Sequence, residues 1–181
     1  MTLVGTPTLF IDGEWCASSD GGRRPTYNPY DASVIMHVDE ATSNDARRAI
    51  AAAKAFFSSS DWSRRSYQDR CELLNHMADS LQKNKAELAR IETIDTGKTL
   101  GESEIDIDDV TNVFRFYAKE ALKLAEDKRV TGPLVPESVK SLVVHEPVGV
   151  CVLITPWNYP ILQLCWKLAP ALATGNVVIV K

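Results

Sequence analysis

Apolar and polar positions recur with two different periods along the chain, and the change from one to the other marks out its parts. The first forty residues carry short apolar runs broken by turn formers. Residues 8–11 read as a strand, Asp12-Gly13 supplies a hairpin turn, and Trp15 covers it. Residues 18–25 read as a loop of Ser, Asp, Gly and Arg. Tyr27-Asn28-Pro29 is extended, because proline restricts the residue before it. Residues 33–38 form a second strand. From Thr42 the period becomes helical, and Thr42 with Asp45 makes a capping-box pattern. Ala46, Ala49, Ile50, Ala53, Phe56 and Phe57 follow as one apolar stripe. Asp61-Trp62-Ser63 breaks that helix, and a second begins near Arg64 with Leu73, Leu74, Met77 and Leu81 on one face. Asn84 is placed to cap a third, with Leu88 and Ile91 inward and Gly97 as its stop. Ile107, Val110, Phe114, Tyr117, Ala121 and Leu124 then predict a helix over 103–125. Residues 131–136 read as a loop and 138–146 as a strand.

The period changes again at the end. Residues 148–154 are a β-branched run of strand length, the pattern of a strand buried on both faces. Two prolines stop it, and Pro160 suits the first position of a helix over 161–174. Pro170 is expected to bend that helix, and Gly175 to close it in a left-handed conformation. Residues 176–180 are a second buried strand, followed by Lys181. Ligands of open α/β sheets gather at the carboxyl ends of the strands. Here those ends are Thr155-Pro156-Trp157-Asn158 and Lys181. Neighbouring strands would bring a flat aromatic, an amide and a cation to one rim. Spacing alone equally fits a proline-rich turn and a solvated lysine.

Composition narrows the classes. The 181 residues are 45% hydrophobic and 24% charged, an ordinary globular balance for one domain, or a domain plus part of another. The net charge of -4 and the scattered Arg pairs leave no basic stripe, so nucleic acid is not an expected partner. No apolar run approaches the roughly 20 residues of a membrane helix, and Met1 to Pro7 lacks the plan of a signal peptide. Cys16, Cys71, Cys151 and Cys165 show neither C-x-x-C spacing nor a secreted framework. They are read as reduced thiols of a cytosolic protein.

Several chemistries are set aside by spacing. Gly97-Lys98-Thr99 ends like a phosphate loop, but position 92 is Glu92 where that loop needs glycine. No G-x-G-x-x-G occurs, so the first βα turn does not bind pyrophosphate in the usual Rossmann manner. His37, His76 and His145 have no metal-ligand spacing. Asp106, Asp108 and Asp109 read as a solvated helix face. Asn158 has two readings: a cap for the helix that follows, or an amide that stabilises a tetrahedral oxyanion.

A resemblance adds to these readings. E-P-V-G-V at 146–150, T-P-W-N-Y-P at 155–160 and W-K-L-A-P-A-L-A-T-G-N at 166–176 lead to the strand ending in Lys181. Together they resemble the NAD(P)-dependent aldehyde dehydrogenase family, most closely its betaine-aldehyde dehydrogenase branch. Weaker matches, at Phe10-Ile11-Asp12-Gly13-Glu14-Trp15, Asn28-Pro29 and 92–98, extend the likeness over nearly the whole chain.

The resemblance implies an α/β fold: the N-terminal portion of an aldehyde-dehydrogenase-like fold, a helical segment followed by the start of a variant Rossmann parallel sheet. Residues 1–181 would form a partial cofactor-binding domain, with 138–146 resembling the start of the oligomerisation region and the catalytic domain absent. It implies oxidation of a small aldehyde to its acid with NAD or NADP, in a homodimer or homotetramer. Asn158 matches the oxyanion donor. Lys167 matches a lysine of proton relay, although a structural salt bridge fits it equally well. Thr155, Pro156 and Trp157 match the cofactor path, and Lys181 the lysine that bonds the adenosine ribose. Thr26, Tyr27 and Asp95 match positions that hold a monovalent cation such as potassium. The family's nucleophilic thiol and general base are expected outside these residues, so residues 1–181 alone are expected to be inactive.

Overall fold

The computed structural model describes residues 8–59, 61–125, 128–129, 138–139 and 141–181. The loop expected over 131–136 and the N-terminal residues 1–7 lie outside them. The chain opens with two hairpins. In the first, β1 (Leu9–Ile11) pairs antiparallel with β2 (Glu14–Cys16) through Asp12 and Gly13, both at positive φ (56° and 81°). A two-residue turn of this hand matches the twist of its strands. Phe10 and Trp15 face each other across the pair, with ring centroids 5.1 Å apart, as expected of Trp15.

The second hairpin joins β3 (Arg23–Tyr27) to β4 (Val34–Asp39). The expected loop over 18–25 is therefore shorter. Pro25 sits inside β3, which is allowed because that strand has a partner on one side only within its two-stranded sheet.

Four helices follow. The capping box of Thr42 and Asp45 starts α1 (Ser43–Ser59). Its apolar stripe is only half used: Ala53 is buried, whereas Ile50 and Phe56 are exposed. A 3₁₀ turn at Trp62–Arg64 separates it from α2 (Tyr67–Lys83). That helix starts at a second capping box, Ser66 with Asp69, three residues later than the apolar pattern predicted. Asn84 holds the N-cap position of α3 (Lys85–Thr96), but its side chain makes no bond to the first turn. Its side-chain amide donates instead to the Ser80 carbonyl, closing α2. The inward face of α3 is Ala89 and Glu92, and Ile91 faces out. Gly97 ends it at φ 78°, and a Cβ there would stand 2.7 Å from the Pro29 ring, so glycine is needed twice over. A third capping box, Thr99 with Glu102, opens α4 (Leu100–Leu122).

The core lies where α2, α4 and α5 (Pro160–Ala173) meet. Leu74 and Ala78 of α2 pack on Val110, Phe114, Ala118 and Ala121 of α4. Leu162, Cys165, Ala169 and Ala173 of α5 close the cluster. Alanine at so many inward positions lets the helix axes approach closely. Arg70 is also buried here, its guanidinium 4.4 Å from the Tyr67 ring, with Nε and Nη1 unpaired among the described residues.

The final unit is strand–helix–strand. β7 (Val150–Leu153) runs parallel to β8 (Val177–Val180), in register Val150↔Val177 through Leu153↔Val180. α5 connects them and continues through Pro170. Gly175 then turns the chain at φ 83°, with its N–H on the Leu172 carbonyl and that of Asn176 on the Ala171 carbonyl, a Schellman motif. The parallel pairing is as expected, but burial on both faces is not. Leu153 is buried, whereas Val152 is 55% and Val180 51% exposed. Both α1 and α5 touch the pair, but within the described residues they cover it only in part. The strand expected over 138–146 shortens to β6 (Leu142–Val143), which pairs antiparallel with β5 (Lys128–Arg129).

Candidate functional site

The carboxyl ends of β7 and β8 meet as the sequence pattern predicts. The Lys181 N–H donates to the Leu153 carbonyl at 2.8 Å, and the Thr155 N–H donates to the Lys181 carbonyl at 2.9 Å. The Thr155 hydroxyl adds a bond to that same carbonyl at 3.2 Å. Two strand exits are thereby locked side by side, and the Thr155 backbone is fixed before the chain turns away. Pro156, Trp157 and Asn158 are exposed on the turn, Trp157 to 85%. The Lys181 side chain is exposed and carries no ion pair among the described residues.

Asn158 is not the helix cap. The N-cap position of α5 is Tyr159, and no side chain bonds the first turn. The Asn158 amide has no hydrogen-bond partner among the described residues, and it borders an open cleft of about 420 Å³. The opposite wall is the Thr96-Gly97-Lys98 turn with Glu102, Ile105 and Asp106 of α4.

The floor of this cleft is ionic, which the sequence reading missed. Lys98 Nζ lies 2.5 Å from Asp106 and 3.1 Å from Glu92, with all three side chains largely buried. Its ammonium is also 4.1 Å from the centroid of the Tyr159 ring. Asp106, read as part of a solvated face, is buried for this reason: Lys98 compensates the charge that burial would otherwise penalise. Burial alone would push the Lys98 ammonium down, but the hydrogen bonds and charges of Asp106 and Glu92 hold it above its ordinary range. Burial raises the Glu92 carboxyl, and Lys98 offsets this only in part. The two directions agree physically. One cation serves two carboxylates, and burial of Glu92 together with the nearby Asp106 charge outweighs what Lys98 gives it. A signal existed in the sequence, since Ser103, Asp106, Ile107, Val110 and Phe114 share one helical face.

The other expected residues are less gathered. Lys167 does not border the cleft. Its ammonium bonds the Gln163 carbonyl at 3.0 Å and amide oxygen at 3.4 Å within α5, and it meets no carboxylate among the described residues. Among the described residues no salt bridge forms at Lys167. Thr26 and Tyr27 end β3, and Pro29 against Gly97 brings that hairpin to the end of α3 that carries Asp95. The Asp95 carboxylate is exposed and unpaired among the described residues. A second hollow of about 290 Å³ lies between α4 and α5, lined by Asp109, Asn112, Val113, Phe116, Leu162 and Trp166. Sequence reasoning gave it no role.

Residues 15–181 match the model of the family described as the aldehyde dehydrogenase family. The chain belongs to that family. It is 44% identical over 174 residues to the betaine aldehyde dehydrogenase of Bacillus subtilis, which covers 96% of this chain and 35% of that protein. It is 41% identical over 181 residues to a peroxisomal aminoaldehyde dehydrogenase of Pisum sativum, covering 98% of this chain and 36% of that one. A variant of the Staphylococcus aureus betaine aldehyde dehydrogenase, solved with NAD+, superimposes with a TM-score of 0.89 at 45% identity. That match covers 94% of this chain and 34% of the other. The fold is thus the N-terminal portion of the aldehyde dehydrogenase fold, and the chain spans about a third of the length of the relatives it matches.

Proposed function

We propose that residues 1–181 are the N-terminal part of an NAD(P)-dependent enzyme that oxidises an aldehyde to its carboxylic acid. The observation that carries this reading is the unpartnered Asn158 amide at the joined ends of two parallel strands, in a chain of this family. An amide free of structural bonds is available to donate to the oxygen that becomes anionic when a nucleophile adds to an aldehyde. The Thr155 backbone, bonded to Lys181, fixes where the turn that carries Asn158 begins.

Nicotinamide cofactor would accept the hydride from the substrate carbon. The strand exits fit such a ligand, with Thr155 held by backbone bonds, Trp157 exposed as a flat surface and Lys181 as an exposed cation without an ion pair among the described residues. The ammonium of Lys181 suits ribose hydroxyls or a 2′-phosphate. NAD is favoured because the similar Staphylococcus enzyme was solved with NAD+. Lys167, whose ammonium bonds Gln163 within α5, is proposed as a proton-relay group rather than a substrate contact. The thiol nucleophile and the general base are proposed to lie outside residues 1–181. Water, two electrons to the cofactor and one released proton balance the conversion to acid.

The substrate class we favour is an aldehyde that also carries a cationic nitrogen. The names of two similar proteins specify betaine aldehyde and aminoaldehydes. In this chain the hollow beside α5 offers the Phe116 and Trp166 rings with the Asp109 carboxylate, a set that attracts cations. The cation at Asp95 would be a hard one such as potassium, since its neighbours offer oxygen donors. The exposed apolar pair Leu142 and Val143 on β6 supports pairing between copies in a homodimer or homotetramer. No helix among the described residues is long and apolar enough to cross a membrane. Four unpaired cysteines favour a reducing compartment, the cytosol.

The test is NADH formation by the complete enzyme with betaine aldehyde and with an uncharged aldehyde of similar size. The reading expects turnover of both, with the higher kcat/KM for the cation, and none from residues 1–181 alone. Absence of turnover with every aldehyde, or turnover by residues 1–181 alone, would overturn it.

A further inference from the structure

The Lys98–Glu92–Asp106 cluster has more than it needs for internal neutrality. Two carboxylates already bind the ammonium, yet the same ammonium lies 4.1 Å from the Tyr159 ring centroid on a separate segment. Tyr159 immediately follows Asn158, and no side chain caps the helix that begins after it. The 157–159 turn therefore has few anchors of its own. Trp157 is exposed, the Asn158 amide is unpartnered, and the Tyr159 carbonyl bonds forward to the Gln163 N–H. The ring resting on a fixed cation ties this turn to the α3–α4 connection.

We propose that Lys98 is a positioning residue: clamped by Glu92 and Asp106, its ammonium braces the Tyr159 ring and so fixes where the Asn158 amide points. This rests on the proposed role of Asn158 and names the support that role requires. A flexible lysine could not brace anything, because its long stem is free to rotate. Here both carboxylates hold the head in place, and the low local dielectric strengthens the attraction of cation for ring. Asp106 sits one helical turn before Val110, and Glu92 sits beside Ala89, so the clamp is built into the two buried helix faces. The brace moves only if those helices move.

The experiment is a set of double-mutant cycles in the complete enzyme. Tyr159→Leu removes the ring and leaves the ionic cluster whole, and Lys98→Met removes the cation. Each is expected to lower kcat about tenfold while the Kd for NAD stays within about twofold. Lys98→Arg, which keeps a cation beside the ring, is expected to restore at least a third of wild-type kcat. The pair Tyr159→Leu with Lys98→Met should cost no more than the larger single change, since both remove one contact. In an Asn158→Ala background each should cost less than about twofold, because Lys98 acts through Asn158. Multiplying effects, or an undiminished loss in that background, would overturn the proposal. If Lys98→Met fails to fold, the Tyr159→Leu cycle against Asn158→Ala decides alone.

A readout without turnover separates this idea from the functional reading. With 5-fluorotryptophan incorporated, and Trp157 assigned by Trp157→Phe, Lys98→Met, which leaves the Tyr159 ring in place, should shift and narrow the Trp157 fluorine resonance, and Lys98→Arg should return it towards the wild-type position. Should the wild-type enzyme oxidise no aldehyde, the functional reading fails and this resonance alone judges the brace. An unmoved resonance would sink it.

Discussion

The Asn176 side-chain oxygen accepts a hydrogen bond from the Gly149 N–H at 2.9 Å, joining the residue before β8 to the residue before β7. A second bond between the same residues' surroundings, from the Val177 N–H to the Gly149 carbonyl, lies at 2.9 Å. The Asn176 side-chain nitrogen donates back to the Ala171 carbonyl and the Thr174 hydroxyl, and its backbone carbonyl accepts from the Trp62 indole. One buried asparagine thus sets the register of the parallel pair and ties α5 and the 3₁₀ turn to it. The site at the far ends of the strands depends on that register.

Asn176→Ala is accordingly expected to destabilise the protein by about 2–3 kcal/mol, because it strands a buried N–H as well as removing bonds. Asn176→Asp keeps the oxygen that Gly149 needs but turns a buried carboxylate oxygen towards the Ala171 carbonyl in place of the amide N–H, so it should cost at least as much. Chemical denaturation midpoints of the two variants check this, and equal midpoints for wild type and Asn176→Ala would show that the strand register is held elsewhere.

Asn158→Ala in the complete enzyme is expected to lower kcat by roughly 10²-fold or more, the usual cost of one oxyanion donor. Cofactor affinity should change little. The structure removes the capping explanation beforehand, because Asn158 makes no bond to the first turn of α5. Steady-state kinetics with saturating NAD measure it, and an unchanged kcat would leave Asn158 without a catalytic role.

Lys181→Ala is expected to weaken NAD binding about tenfold, the worth of a hydrogen bond from a charged donor, with kcat at saturating cofactor nearly intact. The backbone of Lys181 already serves the strand pair through Leu153 and Thr155, so the substitution spares the fold. Calorimetric titration giving the wild-type Kd would refute the assignment.

Much of this was legible in the sequence, and the failures have a common cause. The strand–helix–strand unit, the first hairpin, the capping box of Thr42 and the stop at Gly97 follow from local rules: β-branched runs, turn residues and glycine at positive φ. Burial of charge does not follow from such rules. Asp106 looked solvated because a lone carboxylate belongs in water, and only the fold brings Lys98 to it from the preceding turn. Asn84 does stand at the N-cap of α3, but its side chain bonds the Ser80 carbonyl of the helix behind it. Exposure of Val152 and Val180 also escaped the pattern, which reads composition and not the number of covering layers.

Asp45 gives a pH prediction. Its carboxylate is buried and accepts bonds from the Thr42 N–H at 2.9 Å and from the Ser19 N–H and hydroxyl at 3.1 Å. The Thr42 backbone bond, opposed by burial and aided by Ser19, holds the carboxyl well below its usual range. A depressed acid contributes stability in full above the ordinary carboxylate pKa of about 4 and loses it as pH falls towards the folded value. The gap in denaturation midpoint between wild type and Asp45→Asn should therefore be constant above about pH 5 and narrow below about pH 4. A gap that does not change with pH would contradict the charge-based account.

Cys165 offers a test of the helical core. It is 3% exposed among Leu162, Ala169 and the α4 face, and burial, with a smaller contribution from the Glu92 charge, pushes its thiol up to about 12. At pH 8 only about one part in ten thousand would be thiolate, the form that reacts with alkylating agents. Cys16 and Cys151 are half-buried and should be alkylated first, while Cys165 stays unmodified until the protein unfolds. Brief iodoacetamide treatment at pH 8, followed by peptide mass spectrometry, gives the order. Early modification of Cys165 would mean that α5 opens from α4 readily, and the turn carrying Asn158 at the start of that helix could then not be held in one place.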